Sequence, residues 1–153
     1  MLYILALLIG VIAGLRAMTA PAAIAWGAYL GWLTVAGTWA SFMSHWAAVG
    51  IFTILAIVEL VTDQLPSTPS RKVPQQFGAR IVTGAFTGAV IGATGGATIG
   101  GLIAGAIGAV IGTLGGAEAR GRLAAAFGKD PPAAFIEDAV AIIGGLLIVA
   151  AVA

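Results

Sequence analysis

Glycine recurs at every fourth position from Gly84 to Gly116: Gly84, Gly88, Gly92, Gly96, Gly100, Gly108, Gly112 and Gly116, with Ala104 filling the one gap. Nearly every residue between them is Ala, Val, Ile, Leu or Thr, and no charge falls from Ile81 to Ala117. In water each such glycine would cost a helix about 1 kcal/mol relative to alanine. Inside a bilayer the backbone has no water to bond with and stays helical, and a stripe without side chains lets a second helix come close. The pattern predicts an all-α fold, a polytopic membrane helical bundle with a glycine-zippered central hairpin. Gly84, Gly88, Gly92, Gly108 and Gly112 are its packing positions. One helix across 79–117 would be ~58 Å long, about twice the ~30 Å hydrocarbon core. The chain is therefore expected to turn between Gly95-Gly96 and Gly100-Gly101.

The rest of the composition agrees. The chain is 60% hydrophobic and 8% charged, with mean hydropathy +1.08, whereas soluble domains are about a quarter charged. A net charge of +1 leaves no basic footprint for nucleic acid. Without cysteine there is neither a disulfide framework nor a thiolate metal site, and His45 is the single histidine. No nucleophile–base pair or phosphate-binding loop is present, so an enzyme is not the expected class.

Residues 1–153 read as one integral membrane domain of six segments. The first runs from Leu2 to about Leu15, with Arg16 at its end; no basic residue precedes it, so it is expected to be a retained helix rather than a cleaved signal. Thr19-Ala20-Pro21 reads as a helix restart. Segment two, 22–42, is long enough to span, although Trp26, Tyr29, Trp32 and Trp39 also suit a tilted or interfacial helix. Segment three runs from Trp46 to about Leu65, and the proline-rich stretch Pro66 to Gln76 is a linker. Segments four, Phe77 to about Thr94, and five, to about Ala117, form the hairpin. A polar loop from Glu118 to Pro132 precedes segment six, Ala133–Ala153, which Asp130-Pro131-Pro132 should open. With the N-terminus outside, all seven Lys and Arg residues fall in or beside 16–21, 65–80 and 118–132, the three stretches then facing the cytoplasm. Three segments in each half permit a 3+3 inverted repeat.

Ionisable residues within such segments are the candidate functional groups. Glu59 lies seven residues before Pro66, about 10 Å inside its helix end, with Asp63 one turn further on. Glu59 either pairs with Arg16 or Arg80, or lines a cation or proton site together with Asp63. Glu137 and Asp138, in the first turns of segment six, suit the helix dipole and fall at a similar depth on the same side. Four converging carboxylates would suit Mg²⁺, Ca²⁺ or Na⁺; no other cofactor is implied. Arg71 and Lys72 offer anion contacts at the membrane face, for a phosphate or lipid headgroup.

Three stretches carry a family resemblance: Gly10-Val-Ile-Ala-Gly14-Leu-Arg16-Ala-Met-Thr-Ala-Pro21, Val58-Glu59-Leu-Val-Thr-Asp63-Gln-Leu-Pro66-Ser-Thr-Pro69-Ser-Arg71, and Gly116-Ala-Glu118-Ala-Arg120 followed by Phe135-Ile-Glu137-Asp138. They resemble the DUF4126 family of small bacterial integral membrane proteins. The resemblance implies a multi-pass protein of the bacterial inner membrane and brings no activity or catalytic residue with it. The expected function is a small transporter or channel for an ion or small solute, acting as a homo-oligomer among membrane lipids. The alternatives are a non-transporting scaffold or accessory subunit, docking through its glycine faces, and a protein handling lipid phosphate at the cytoplasmic face.

Overall fold

The computed structural model describes residues 2–35, 37–62, 74–128 and 130–152. Among these residues there are six α-helices, one 3-10 helix and no strand, as the all-α expectation requires. The α-helices are α1 (Leu2–Leu15), α2 (Thr19–Tyr29), α3 (Trp46–Thr62), α4 (Pro74–Ala93), α5 (Thr98–Phe127) and α6 (Asp130–Val152), and the 3-10 helix is Trp39–Ser44. Neighbouring contacts fix their directions. Gly14 is beside Arg80 and Gly10 beside Gly84, so α1 and α4 are antiparallel. Tyr3 lies at Gly100 and Val11 at Gly112, so α1 and α5 are parallel. Ala23 faces Gly145 and Gly27 faces Val149, so α2 and α6 are parallel. Successive helices thus run alternately up and down the bundle.

Its centre is the trio α1, α4 and α5, where backbone meets backbone. A side-chain carbon at Gly88 would strike the Gly101 carbonyl, and one at Gly92 the Ala97 carbonyl. Gly105 is the most enclosed position, meeting Gly84 and Gly88 of α4 while Gly10 of α1 presses on its own carbonyl. On α5 the hairpin contact is made by glycines one position off the expected stripe. Gly101 and Gly105 face α4, whereas Gly108 and Gly112, expected to close the α4–α5 hairpin, instead meet the backbone of Leu7 and Val11 on α1. Successive glycine rows on a helix point in different directions, and α5 uses two of them for two partners.

Three expected boundaries move. Segment two is not one helix: α2 stops at Tyr29, where Gly31 adopts φ +86, a left-handed conformation that ends a helix and is easy for glycine. The chain then folds back, burying Leu33 and Val35, and re-forms as the 3-10 helix, which Thr38 caps by accepting from the Ala40 N–H. Trp39 anchors that helix by stacking edge-on against Phe86 and donating to Thr98 Oγ1 at 3.2 Å. Second, α5 continues for ten residues beyond Ala117, through most of the expected polar loop. The run Ala117-Glu-Ala-Arg-Gly-Arg-Leu-Ala-Ala-Ala is dominated by strong helix formers, with Glu118 and Arg122 paired one turn apart at 2.6 Å. Gly128, at φ +76, closes the helix. Third, α4 starts at Pro74, inside the expected linker, since proline suits a first helical position. The remainder of the linker, 66–73, and the expected end of segment three, 63–65, lie outside the described residues.

The halves do not repeat helix for helix. An inverted repeat would pair α2 with α5, but α2 has 11 residues and α5 has 30. Among the described residues, Thr98–Ala119 is the one helical stretch long and apolar enough to cross a membrane; Leu2–Leu15, Trp46–Glu59 and Phe77–Ala93 are shorter apolar helices.

Candidate functional site

Between Leu15 and Thr19 the helix breaks, and the charged side chains of the bundle gather there. A broken helix leaves backbone carbonyls at one end and N–H groups at the other without intrahelical partners. Here both ends are met by ionic side chains from other helices. Glu59 of α3 accepts from the Ala17 and Met18 N–H groups, one on each carboxylate oxygen, both at 3.0 Å. Arg80 of α4 donates from Nη1 to the Gly14 carbonyl at 3.0 Å. The signs follow the helix dipoles, an anion at the start of α2 and a cation at the end of α1. This resolves the apparent conflict at Glu59, which lies near the unfavourable C-terminus of its own helix but serves the N-terminus of another.

Arg16 sits in the break itself, with a side chain 0% exposed. Its Nε donates to Asp138 Oδ1 at 2.6 Å, Nη2 also pairs with that oxygen, and Nη1 lies 3.7 Å from Glu137 Oε1. Glu137 is likewise buried. Glu59 is held by the backbone N–H groups at the start of α2, and α6 supplies carboxylates to Arg16.

Five of the predicted residues therefore converge from four directions: Arg16, Glu59, Arg80, Glu137 and Asp138. Asp63, Arg71 and Lys72 lie outside the described residues. Among the described residues the set holds two guanidiniums and three carboxylates, Arg16 paired with Asp138 and Glu137, and Arg80 with the Gly14 carbonyl. Arg80 is six residues from the start of α4 and Glu137 seven from the start of α6, so the cluster sits about 10 Å inside those helix ends. Among the described residues no group of three His, Cys, Asp or Glu side chains is placed to hold a metal ion.

The residues that the sequence reading passes over are backbone ones. The restart at Thr19-Ala20-Pro21 is legible, but a helix stopped and restarted within an apolar stretch also requires an acid and a base from elsewhere to satisfy its ends. The Gly10 and Gly14 pair on α1 was a second signal, having the same four-residue spacing as the long stripe; both pack against α5. Comparison with family models, with curated proteins and with solved structures returns no match to this chain.

Proposed function

We infer that this is a multi-pass protein of the bacterial inner membrane that moves a monovalent cation, proton included, along a path closed by the Arg16 cluster. The observation that carries the reading is a distribution of polarity opposite to that of a water-soluble protein. Arg16, Arg80 and Glu137 are buried, while Ile51, Ile54, Ile57, Val58 and Val61 of α3, Ile99, Ile103, Ile107 and Ile111 of α5, and Val140, Ile143 and Leu147 of α6 are exposed. Such outward faces are suited to hydrocarbon, and α1 to α6 alternate in direction as six crossings would. Both α2 and the 3-10 helix would contribute to the second crossing, and the stretch between them, where Gly31, Thr34 and Gly37 are exposed, would lie at the membrane surface, where water can meet its backbone.

A broken helix pair beside buried charges is the arrangement membrane transporters use for ion and substrate sites. Carboxylate oxygens gathered at the break suit a passing monovalent cation, and among the described residues no three of them are placed to hold a metal ion. In the accessory-subunit reading the glycine faces meet another protein, whereas Gly84, Gly88, Gly92, Gly105, Gly108 and Gly112 all meet backbone of this chain. The resemblance to small bacterial membrane proteins adds the inner-membrane location.

Flux measurements test the proposal. Purified protein in sealed vesicles, given gradients of Na⁺, K⁺ or H⁺, is expected to dissipate one of them faster than protein-free vesicles. Glu137→Gln removes one carboxylate charge from the cluster and should reduce that flux at least about tenfold, the effect of losing ~1.4 kcal/mol of interaction. Vesicles that hold all three gradients would refute it.

A further inference from the structure

Beside the cluster, a groove of about 370 Å³ runs along α2, with α3 on one side and α6 on the other. Ala22, Ala23 and Trp26 floor it, Ala56 and Ile57 form one wall, and Leu146 the other. Ile57 and Leu146 are exposed, so the groove opens sideways on the apolar flank of the bundle. Its polar feature is at the end next to Arg16. The Thr19 side chain lines the groove, is 5% exposed, and its hydroxyl has no hydrogen-bond partner among the described residues. A buried hydroxyl without a partner is costly, and a ligand acceptor at that point would satisfy it. Further along the groove, Trp26 Nε1 donates to Thr53 Oγ1 at 2.9 Å.

We propose that this groove binds one acyl chain of a diacyl phospholipid from the leaflet on the Arg16 side, with the ester carbonyl accepting from the Thr19 hydroxyl. The inference rests on the membrane reading above. Length supports it: from Thr19 to Leu30 α2 rises about 16 Å, half of the ~30 Å hydrocarbon core and hence the depth of one leaflet. A partner helix, ~10 Å across, is too thick for a space of this volume. Charge selects among the slender ligands. A free fatty acid would place its carboxylate beside that of Glu59, which sits on the Ala17 and Met18 N–H groups next to Thr19, whereas an ester carbonyl is neutral.

The test is native mass spectrometry of the full chain released from detergent micelles after equilibration with a phosphatidylethanolamine. One phospholipid per protomer is expected to survive release. Ala56→Phe, which fills the groove, should abolish that adduct, and Ala139→Phe, the same change on the exposed face of α6, should leave it intact. Thr19→Val keeps the shape without the hydroxyl and should weaken retention about fivefold; it decides the matter if Ala56→Phe fails to fold. Alkaline washing of membranes is run alongside. Extraction of the chain by alkali would remove the membrane reading and the lipid site with it. An inserted chain that retains no phospholipid, that keeps it undiminished in both groove variants, or that takes up oleic acid in its place overturns the lipid site alone.

Discussion

The α1, α4 and α5 trio and the α2, α3 and α6 layer are both made of apolar helices, yet they are built on opposite terms. In the trio the side chains are absent where the helices meet, so distances are set by backbone and no space remains. Both regions turn large side chains away from the bundle, Ile99 74% exposed in the trio and Trp46 72% in the outer layer, so they differ in their contacts and not in their outer faces. In the outer layer α3 packs against α2 and the 3-10 helix, leaving the groove between α3 and α6. Rigidity is thus concentrated in one half and free volume in the other. The charged cluster joins them. Arg80 belongs to the trio and holds the end of α1, while Glu59, Glu137 and Asp138 belong to the outer layer and hold Arg16 and the start of α2. An equilibrium in which the outer layer rocks on the trio would make and break these contacts, which is how rigid-body alternating access works in larger transporters.

Substitutions should separate the two regions by magnitude. The largest effect is expected in the trio. Gly105→Leu would drive a side chain into the Gly84 carbonyl, and, with no neighbouring side chain able to yield, the loss should exceed about 3 kcal/mol. Thermal unfolding in detergent should show little folded protein, against a shift of a few degrees for Ala56→Leu in the outer layer. Near-equal behaviour of the two would erase the contrast.

Next comes the joint. Arg16→Gln leaves Asp138 and Glu137 as buried carboxylates without their guanidinium and should cost ~3–5 kcal/mol. Adding Asp138→Asn is expected to recover much of this, and a double-mutant cycle measures the coupling. The smallest of the three is Glu59→Gln, which keeps one acceptor oxygen for the two N–H groups and should cost about 1–2 kcal/mol. Its coupling to Arg16→Gln should be well below that of Asp138→Asn. If Glu59 proved the stronger partner, the joint would be centred on α3 rather than α6.

Local chemistry made much of this molecule legible in its sequence. Thr19-Ala20-Pro21 marks the start of α2, Trp46 the start of α3, Gly95-Gly96 the hairpin turn and Asp130-Pro131-Pro132 the start of α6. Counting segments placed Glu59, Glu137 and Asp138 at a similar depth on the same side, although spacing alone did not bring them together. What was not legible depended on partners. Hydropathy does not distinguish a helix from a folded-back chain, so Leu30 to Phe42 looked like the rest of a span. A polar stretch is not a broken helix, so α5 passed through Glu118 and Arg122 unnoticed. A four-residue period identifies a packing stripe without saying which helix covers it, and Gly108 and Gly112 went to α1. The pairing of Arg16 with Asp138 crosses 122 positions of sequence, and no local pattern records it.

The central claim is that the buried cluster lies on the path of a monovalent cation and binds it, with the Glu137 carboxylate taking part. Melting temperatures of the wild-type chain and of Glu137→Gln, in matched series of Na⁺, K⁺, Mg²⁺ and pH at constant ionic strength, test this directly. The wild type should be stabilised by one monovalent cation or by protons, following the logarithmic dependence of ligand linkage, with no selective gain from Mg²⁺. Glu137→Gln should melt independently of all four. A wild type indifferent to every ion and to pH, or a variant that responds as the wild type does, would contradict the account.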